Sequence, residues 1–388
     1  MRIGFFTSIV TDGRPTSGYE LANEAIVAAL RTLGHVVSVI GVRLQRQQPS
    51  EGVATIAIAN LENAHATRLQ KALWLVQSVQ HGLPVGATKL RAVIQISIED
   101  IVASQGPFDA IVLNSWQMAA AFPSLKKQPF AYISHNVEHV TARENSTNSD
   151  SAFQRFLYRR EARLLRDIEE DLCKRAAWVW TLSQDDLTEQ MEGQDNCSVL
   201  PLVVPVPALE ERSVAKSYDI GMIGTWTWQA NTPGLDWFLE EVLPLLPDDF
   251  TIGIAGSVPE RVKTALSRVE FLGRVEDANA FLAQTRVIAL VSRGGTGIQL
   301  KTIEAFQMGL ACVATSSSLR GVDVLPANAA RADDPEDFAR SLVQLVKASR
   351  AGTLERVDGA SFADQQLSAL MESLNEGLTV VGAGRRTD

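Results

Sequence analysis

Three glycines, a lysine and a glutamate fall within one short stretch of the chain, Arg293-Gly-Gly-Thr-Gly-Ile-Gln-Leu-Lys-Thr-Ile-Glu304. The apolar run before it, residues 286–291, reads as a strand, and residues 300–308 read as a helix. Gly294, Gly295 and Gly297 let the backbone approach a bulky ligand closely. The first turn of the helix presents unpaired N–H groups and the positive end of the helix dipole. That arrangement suits a phosphate or diphosphate. Lys301 adds a formal charge, and Glu304, one turn further on, can accept hydrogen bonds from ligand hydroxyls. Phosphate together with sugar hydroxyls is the chemistry of a nucleotide. Glycine-rich turns between strand and helix also occur in α/β sheets that hold nothing, so this stretch alone leaves both readings open.

A second group of candidates lies in the first half. His135 follows an apolar run, residues 130–133, and so stands at the carboxyl end of a strand, where α/β sheets place their ligands. His139 is four residues on, and Glu138 is the nearest carboxylate. Asp12 sits in the first loop of the chain, beyond another strand. A lone histidine is usually structural.

Composition narrows the field. The 388 residues suit two domains better than one, and 46% hydrophobic with 21% charged residues is ordinary for a globular protein. A net charge of -9 argues against bulk nucleic-acid binding. Cys173, Cys197 and Cys312 are scattered, odd in number and without metal-ligand spacing, which fits a reducing cytoplasm and no bound metal. The N-terminal apolar segment is too short for a signal peptide and reads as a buried first strand. No apolar run reaches the roughly 18 residues of a membrane span.

The elements that must position these residues follow from periodicity. Residues 3–10 read as strand, 19–33 as a helix ended by Gly34, and 36–40 as strand. That βαβ unit implies a parallel sheet. Residues 57–103 read as mostly helical, 107–113 and 130–133 as strands, 153–175 as a long helix and 178–182 as strand. Ser183 is placed to cap a short helix with Asp185 and Asp186 in its first turn. Two prolines and a charged run mark residues 206–217 as a linker between a first domain, 1–205, and a second, 218–375. The second repeats the α/β alternation, its last helix is a candidate to cross back to the first domain, and residues 376–388 read as a tail. Two doubly wound domains point to a ligand cleft between them. In the long helix, Arg155, Arg159, Arg163 and Arg166 share one face, which suits either a solvated, salt-bridged helix or a membrane surface. Trp226 and Trp228 are candidates to stack on a ligand, and Trp237 reads as core.

Three segments in order, residues 219–238, Phe271-Leu-Gly-Arg-Val275, and residues 294–315, resemble the C-terminal half of GT-B glycosyltransferases, in particular family 4-like enzymes. Leu33-Gly-His35 and Ser134-His-Asn136 agree with the N-terminal half, and the resemblance covers about residues 1–375. It implies an α/β GT-B fold, two doubly wound Rossmann-like domains facing across a cleft. It implies that Glu304 bonds the donor's ribose and that the amides of Gly297, Ile298, Gln299 and Leu300, beside Gly295, Thr296 and Arg293, cradle the diphosphate. Gly273, Arg274 and Val275 would lie beside the nucleobase, and Gly224 and Thr225 would face the phosphates from the other side. His135 would contact the transferred sugar, and Lys301 would stabilise the leaving group. Two departures stand out: Thr296 replaces the first acid of the family's E-x7-E pair, and Thr225-Trp-Thr-Trp228 with Asn231 replaces its usual arginine and lysine. Charge neutralisation then falls to Lys301, Arg293 or Arg274.

The resemblance implies a cytoplasmic, metal-independent enzyme that takes a UDP, GDP or dTDP sugar as substrate, with no resident cofactor. Its acceptor would be a glycan, a lipid-linked sugar or a small molecule, and peripheral contact with the inner membrane face is an open alternative. Retention of anomeric configuration is expected from the resemblance; an inverting transferase, with Glu138 or Asp12 as general base, or a sugar-nucleotide epimerase is the first alternative. A non-catalytic nucleotide-binding partner protein, suggested by Thr296, is the second.

Overall fold

The computed structural model of the protein describes residues 1–15, 17–61, 66–149, 151–205, 215–228, 230–262, 268–322, 324–355 and 357–384. The chain divides into two compact units, Met1–Leu202 with Leu367–Asp388, and Val203–Gln366. Of the linker expected at 206–217, residues 206–214 lie outside the described ones.

The first unit is built on seven parallel strands: β1 (Arg2–Ile9), β2 (Val36–Arg43), β3 (Val53–Ile58), β4 (Ala110–Asn114), β5 (Phe130–Ser134), β6 (Trp178–Thr181) and β7 (Cys197–Val199). They pair in the order β3-β2-β1-β4-β5-β6-β7. β4, β5 and β6 are buried along their whole length, as strands covered on both faces must be, and they read as continuous apolar runs for that reason. Helix α1 (Gly18–Thr32) begins at Ser17, whose side chain accepts from the Glu20 amide, and Gly34 leaves it at φ 82° as expected. β3, which periodicity did not mark, runs into the start of the expected helical tract at Ala57 and Ile58, and α2 (Arg68–His81), α3 (Val85–Val93) and α4 (Ile98–Gln105) follow. β3 escaped notice because it lies at the sheet edge, where of its six residues just Ile56 is buried, and a short apolar run containing alanines reads as readily as helix.

Short α5 (Trp116–Ala121) follows β4, α6 (Glu138–Thr147) follows β5, and long α7 (Ala152–Arg175) leads into β6. α8 (Gln184–Met191) starts at Ser183, which accepts from the Asp186 amide as its spacing predicts.

The second unit repeats the plan with six parallel strands, β8 (Tyr218–Ile223), β9 (Ile252–Ala255), β10 (Val269–Gly273), β11 (Thr285–Leu290), β12 (Ala311–Ala314) and β13 (Ala329–Arg331), ordered β10-β9-β8-β11-β12-β13. α9 (Thr232–Trp237) continues through a π turn and a 3-10 turn around Pro244, whose missing N–H forbids regular α geometry. α10 (Ala278–Ala283) precedes β11, α11 (Leu300–Gln307) precedes β12, and α12 (Pro335–Ala351) and α13 (Gly359–Gly384) close the chain. α13 runs through residues 376–384, which are therefore helix and not tail. It is retained because Gly377 sits against Trp178 and Trp180, and the Trp180 indole donates to the Ser373 carbonyl at 3.1 Å.

Candidate active site

In the second unit four strands present glycine turns at their carboxyl ends. β10 ends at Gly273, with φ 65°, and its carbonyl accepts from the Gly256 amide at 2.6 Å. Gly256 follows β9 at φ 104°, and a Cβ built there would stand 1.8 Å from the Gly224 carbonyl oxygen. Gly224 follows β8. After β11 the chain turns through Gly295 at φ 87° and Gly297 at φ 77°, both in the left-handed region that favours glycine. The glycines at 224, 273, 295 and 297 therefore stand at the carboxyl ends of strands, where such sheets bind ligands.

Buried hydroxyls weld this last turn to the sheet. The Ser318 hydroxyl accepts from the Ser292 amide and donates to the Leu290 carbonyl, each at 2.8 Å, and Thr302 donates to the Ser318 carbonyl at 2.7 Å. Arg320 completes the frame. It is buried, and its guanidinium donates to the Gly297 carbonyl at 2.9 Å and the Gly294 carbonyl at 3.1 Å. Arg320 was not among the sequence candidates. Its signal was an arginine shortly beyond the carboxyl end of β12, in a turn rich in serine.

α11 starts without a side-chain cap. Lys301, in its first turn, places its ammonium 5.4 Å from the Trp226 ring, and burial, with Arg320 as the charged neighbour, pulls its pKa down to about 8. Two cationic side chains thus stand at one helix N-terminus, the arrangement of an anion site. Glu304 is half-buried, and burial raises its carboxyl above the usual range.

The other sequence candidates fall as follows. Thr296, Ile298, Gln299 and Leu300 are half-buried along the turn. Thr225 is exposed, and its carbonyl accepts from the Trp228 amide and the Asn231 side chain, so these residues close a turn of their own. Arg274 is exposed and Val275 packs against a core cluster. Arg293 stacks on Trp237 at 4.6 Å and donates to the Asp333 carbonyl at 2.9 Å, so its guanidinium is already engaged. Trp226 is not a stacking platform: it is 1% exposed, donates to the Ala255 carbonyl and belongs to the core, because an indole of that size fills the space beside Gly224. Trp228 is exposed, and Trp237 is core as expected.

In the first unit His135 is buried just beyond β5, and burial drops its pKa to about 4, so it is neutral at pH 7. Its Nε2 lies 2.8 Å from Asn114 Oδ1 and its ring 4.8 Å from that of Tyr19. Asn114 in turn donates to Asn23 Oδ1 at 2.7 Å and approaches the Tyr19 hydroxyl at 3.2 Å. Asn23 and Tyr19 went unnoticed in the sequence, although each is a polar residue within the apolar stripe of α1.

His139 does not join His135. Its Nδ1 lies 2.7 Å from Glu169 of α7, which also accepts the Glu138 and His139 amides and so caps α6. Burial, and then the charge of Glu169, raise Glu138 to about 7. Asp12 accepts the amides of Arg14 and Gln48, a loop-closing role that occupies both carboxylate oxygens. Among the described residues no three His, Cys, Asp or Glu side chains gather as a metal site.

Residues 217–348 match the family model described as Glycosyl transferases group 1. No curated protein matches the chain by sequence. Sucrose-phosphate synthase from Thermosynechococcus elongatus is similar in structure, with 14% identity and a TM-score of 0.64 over 100% of this chain and 98% of that one. HepE from Anabaena, solved with UDP and glucose, gives 15% and 0.61 over 98% and 99%. WaaG, a glycosyltransferase involved in lipopolysaccharide biosynthesis, gives 14% and 0.60 over 97% and 99%. At such identities the structural likeness is one of fold, and the family match bears on the second unit. The chain thus has the GT-B fold throughout, and its residues 217–348 match the model of the group 1 glycosyl transferases.

Proposed function

We propose that the enzyme moves a hexose from a nucleotide-diphosphate sugar to a glycan, lipid-linked or small-molecule acceptor, in the cytoplasm and with retention of anomeric configuration. One observation carries this reading: Lys301 and Arg320 stand together at an uncapped helix N-terminus, beside two glycines of positive φ. Departure of the sugar leaves growing negative charge on the diphosphate, and cations with helix amides fixed in advance stabilise that charge most. Lys301 takes the leaving-group role, and Arg320 holds the turn while adding charge. Glu304, one turn on, takes the ribose hydroxyls. In this reading protein cations, and no metal ion of the enzyme's own, meet the diphosphate. HepE solved with UDP and glucose supports a donor of the same class.

Thermal-shift titration with UDP-, GDP- and dTDP-sugars tests donor class, because a bound ligand raises apparent stability by mass action. Lys301→Ala and Glu304→Ala should abolish both the shift and transfer. Tight nucleotide binding by the wild type without turnover of any donor would leave a binding protein and sink the proposal. An inverting course has one observation in its favour, the pKa of Glu138 near 7, which suits a general base. Anomeric configuration of the product, read by NMR, separates the two.

A further inference from the structure

Strand β4 leads into Ser115 and Trp116, and Ser115 departs from the rest of the chain in its backbone. Among the described residues it is the one non-glycine with positive φ, 74°, at ψ 166°. That region is essentially reserved for glycine, because a Cβ crowds the backbone there. The neighbours impose it. The Ser115 amide donates to the Ile133 carbonyl at 2.9 Å, Asn114 is tied to Asn23 and His135, and Trp116 is buried in the core. A glycine would follow the same path without strain, so nothing in the backbone calls for a serine.

Nor does the fold use the hydroxyl. Buried polar side chains are hydrogen-bonded in the large majority, and every other buried serine among the described residues bonds through its hydroxyl. Ser115 is 4% exposed, yet its hydroxyl meets no described protein group and does not cap α5. The Trp116 indole nitrogen, next in the chain, is sealed from solvent without a partner; the Ser115 hydroxyl is unpartnered but open.

Its surroundings indicate what would reach it. β4 and β5 pair Asn114 with Ile133, so Ser115 lies across from Ser134 and close to His135, at the carboxyl ends of both strands. The Ser134 hydroxyl is engaged, donating to the Asn136 carbonyl at 3.1 Å and accepting from Gln190 at 3.0 Å. His135 uses Nε2 on Asn114, and among the described residues its Nδ1 has no partner. The side chains in contact with His135, Asn114 and Tyr19, are neutral. A hydroxyl and a neutral imidazole suit an uncharged polyol better than a phosphate or a carboxylate.

We infer that the Ser115 hydroxyl exchanges a hydrogen bond with a sugar hydroxyl of the substrate beside His135, and that the strained backbone holds it there in advance. Geometry fixed beforehand avoids the ordering cost that a mobile side chain meets on binding. The inference rests on the transferase reading above and adds to it a residue that recognises the sugar.

The test is calorimetric titration of the full chain with UDP, GDP and dTDP, and with UDP-glucose, GDP-mannose and dTDP-glucose, for the wild type, Ser115→Ala and Ser115→Gly. The wild type should gain affinity from the hexose. Both variants should lose about fivefold of it and bind the bare nucleotide as before. Ser115→Gly also relieves the backbone, so it should melt no lower than the wild type, and its lost affinity is then not unfolding. Unchanged donor affinity with an acceptor KM raised by the same factor assigns the hydroxyl to the acceptor and upholds the inference. Variants that match the wild type in both respects overturn it and leave the transferase reading standing. A glycine variant that melts well below the wild type also overturns it, since the serine would then hold the fold. A wild type that binds no nucleotide removes the transferase reading first and this inference with it.

Discussion

Asn114 Oδ1 lies 2.8 Å from His135 Nε2, and this contact decides which ring nitrogen of His135 carries its proton. The assignment starts at the Ile9 carbonyl, which can only accept. It takes the Asn23 amide NH2 at 3.4 Å, so Asn23 turns its oxygen to Asn114. Asn114 must then turn its own oxygen to His135, and Nε2 must donate. Nδ1 is left as the basic nitrogen of a neutral ring.

Asn114→Asp replaces that amide oxygen with a charge and should raise the His135 pKa from about 4 by at least about one unit, since a carboxylate in contact favours imidazolium. Nitrogen NMR of the ring measures it. In the wild type the folded pKa lies below the unfolded value, so the unfolded chain binds more protons between the two. Stability from this group is therefore complete above about pH 6.5 and falls as pH drops toward 4. A His135 ring that titrates near 6.5 in the wild type would contradict the assignment.

Glu138 has the opposite sign. Its folded pKa is raised to about 7, so the folded chain binds the extra proton and loses stability as pH rises through that value. Glu138→Gln should thus stabilise the protein at pH 8 by about 2 kcal/mol and change it little at pH 4. Urea melts at the two pH values give the comparison. If Glu138 is also the base of an inverting reaction, the same variant abolishes transfer.

Lys301→Met should separate stability from function. Burial beside Arg320 holds the ammonium pKa near 8, so below that pH the folded state bears the full cost of the charge, and above it the cost fades as the lysine deprotonates. The methionine variant should be about 2 kcal/mol more stable at pH 7 without ligand. It should also bind a nucleoside diphosphate at least about tenfold more weakly, because a charged hydrogen bond is lost. Calorimetric titration with UDP and GDP reads the second effect; unchanged affinity would remove Lys301 from the site.

Arg320→Lys keeps the charge and loses the fork that reaches two carbonyls. It should destabilise by about 2 kcal/mol and weaken nucleotide binding with it. Gly295→Ala isolates the backbone. An added Cβ would be 3.7 Å from Arg320, ordinary contact, so the expected loss of about 1–2 kcal/mol comes from φ 87° alone. Chemical denaturation of both variants checks the order, arginine at least as costly as glycine.

The fold was largely legible because buried parallel strands leave unbroken apolar runs, as in Phe130–Ser134 and Trp178–Thr181. The strand at Val53–Ile58 was not, since a short apolar run containing alanines reads as readily as helix. Gly295 and Gly297 of the turn after β11 were legible because their positive φ favours glycine. Arg320 and Asn114 were not, because each acts through groups 20 or more residues away, and only the folded chain brings Arg320 to Gly297 or Asn114 to Asn23. Trp226 misled for a related reason: its place in the sequence is beside the turn, but its ring points into the core.

The discontinuity of the first unit sets an order of assembly during synthesis. Trp178 and Trp180 are covered by the helical turn around Gly377, and Ser198 bonds to Ser373 at 2.7 Å, yet residues 203–366 come between them in the chain. A ribosome delivers every residue of the second unit before it delivers that cover. The unit that begins the chain is therefore finished last, with its two tryptophans waiting on the nascent polypeptide until the closing helix arrives.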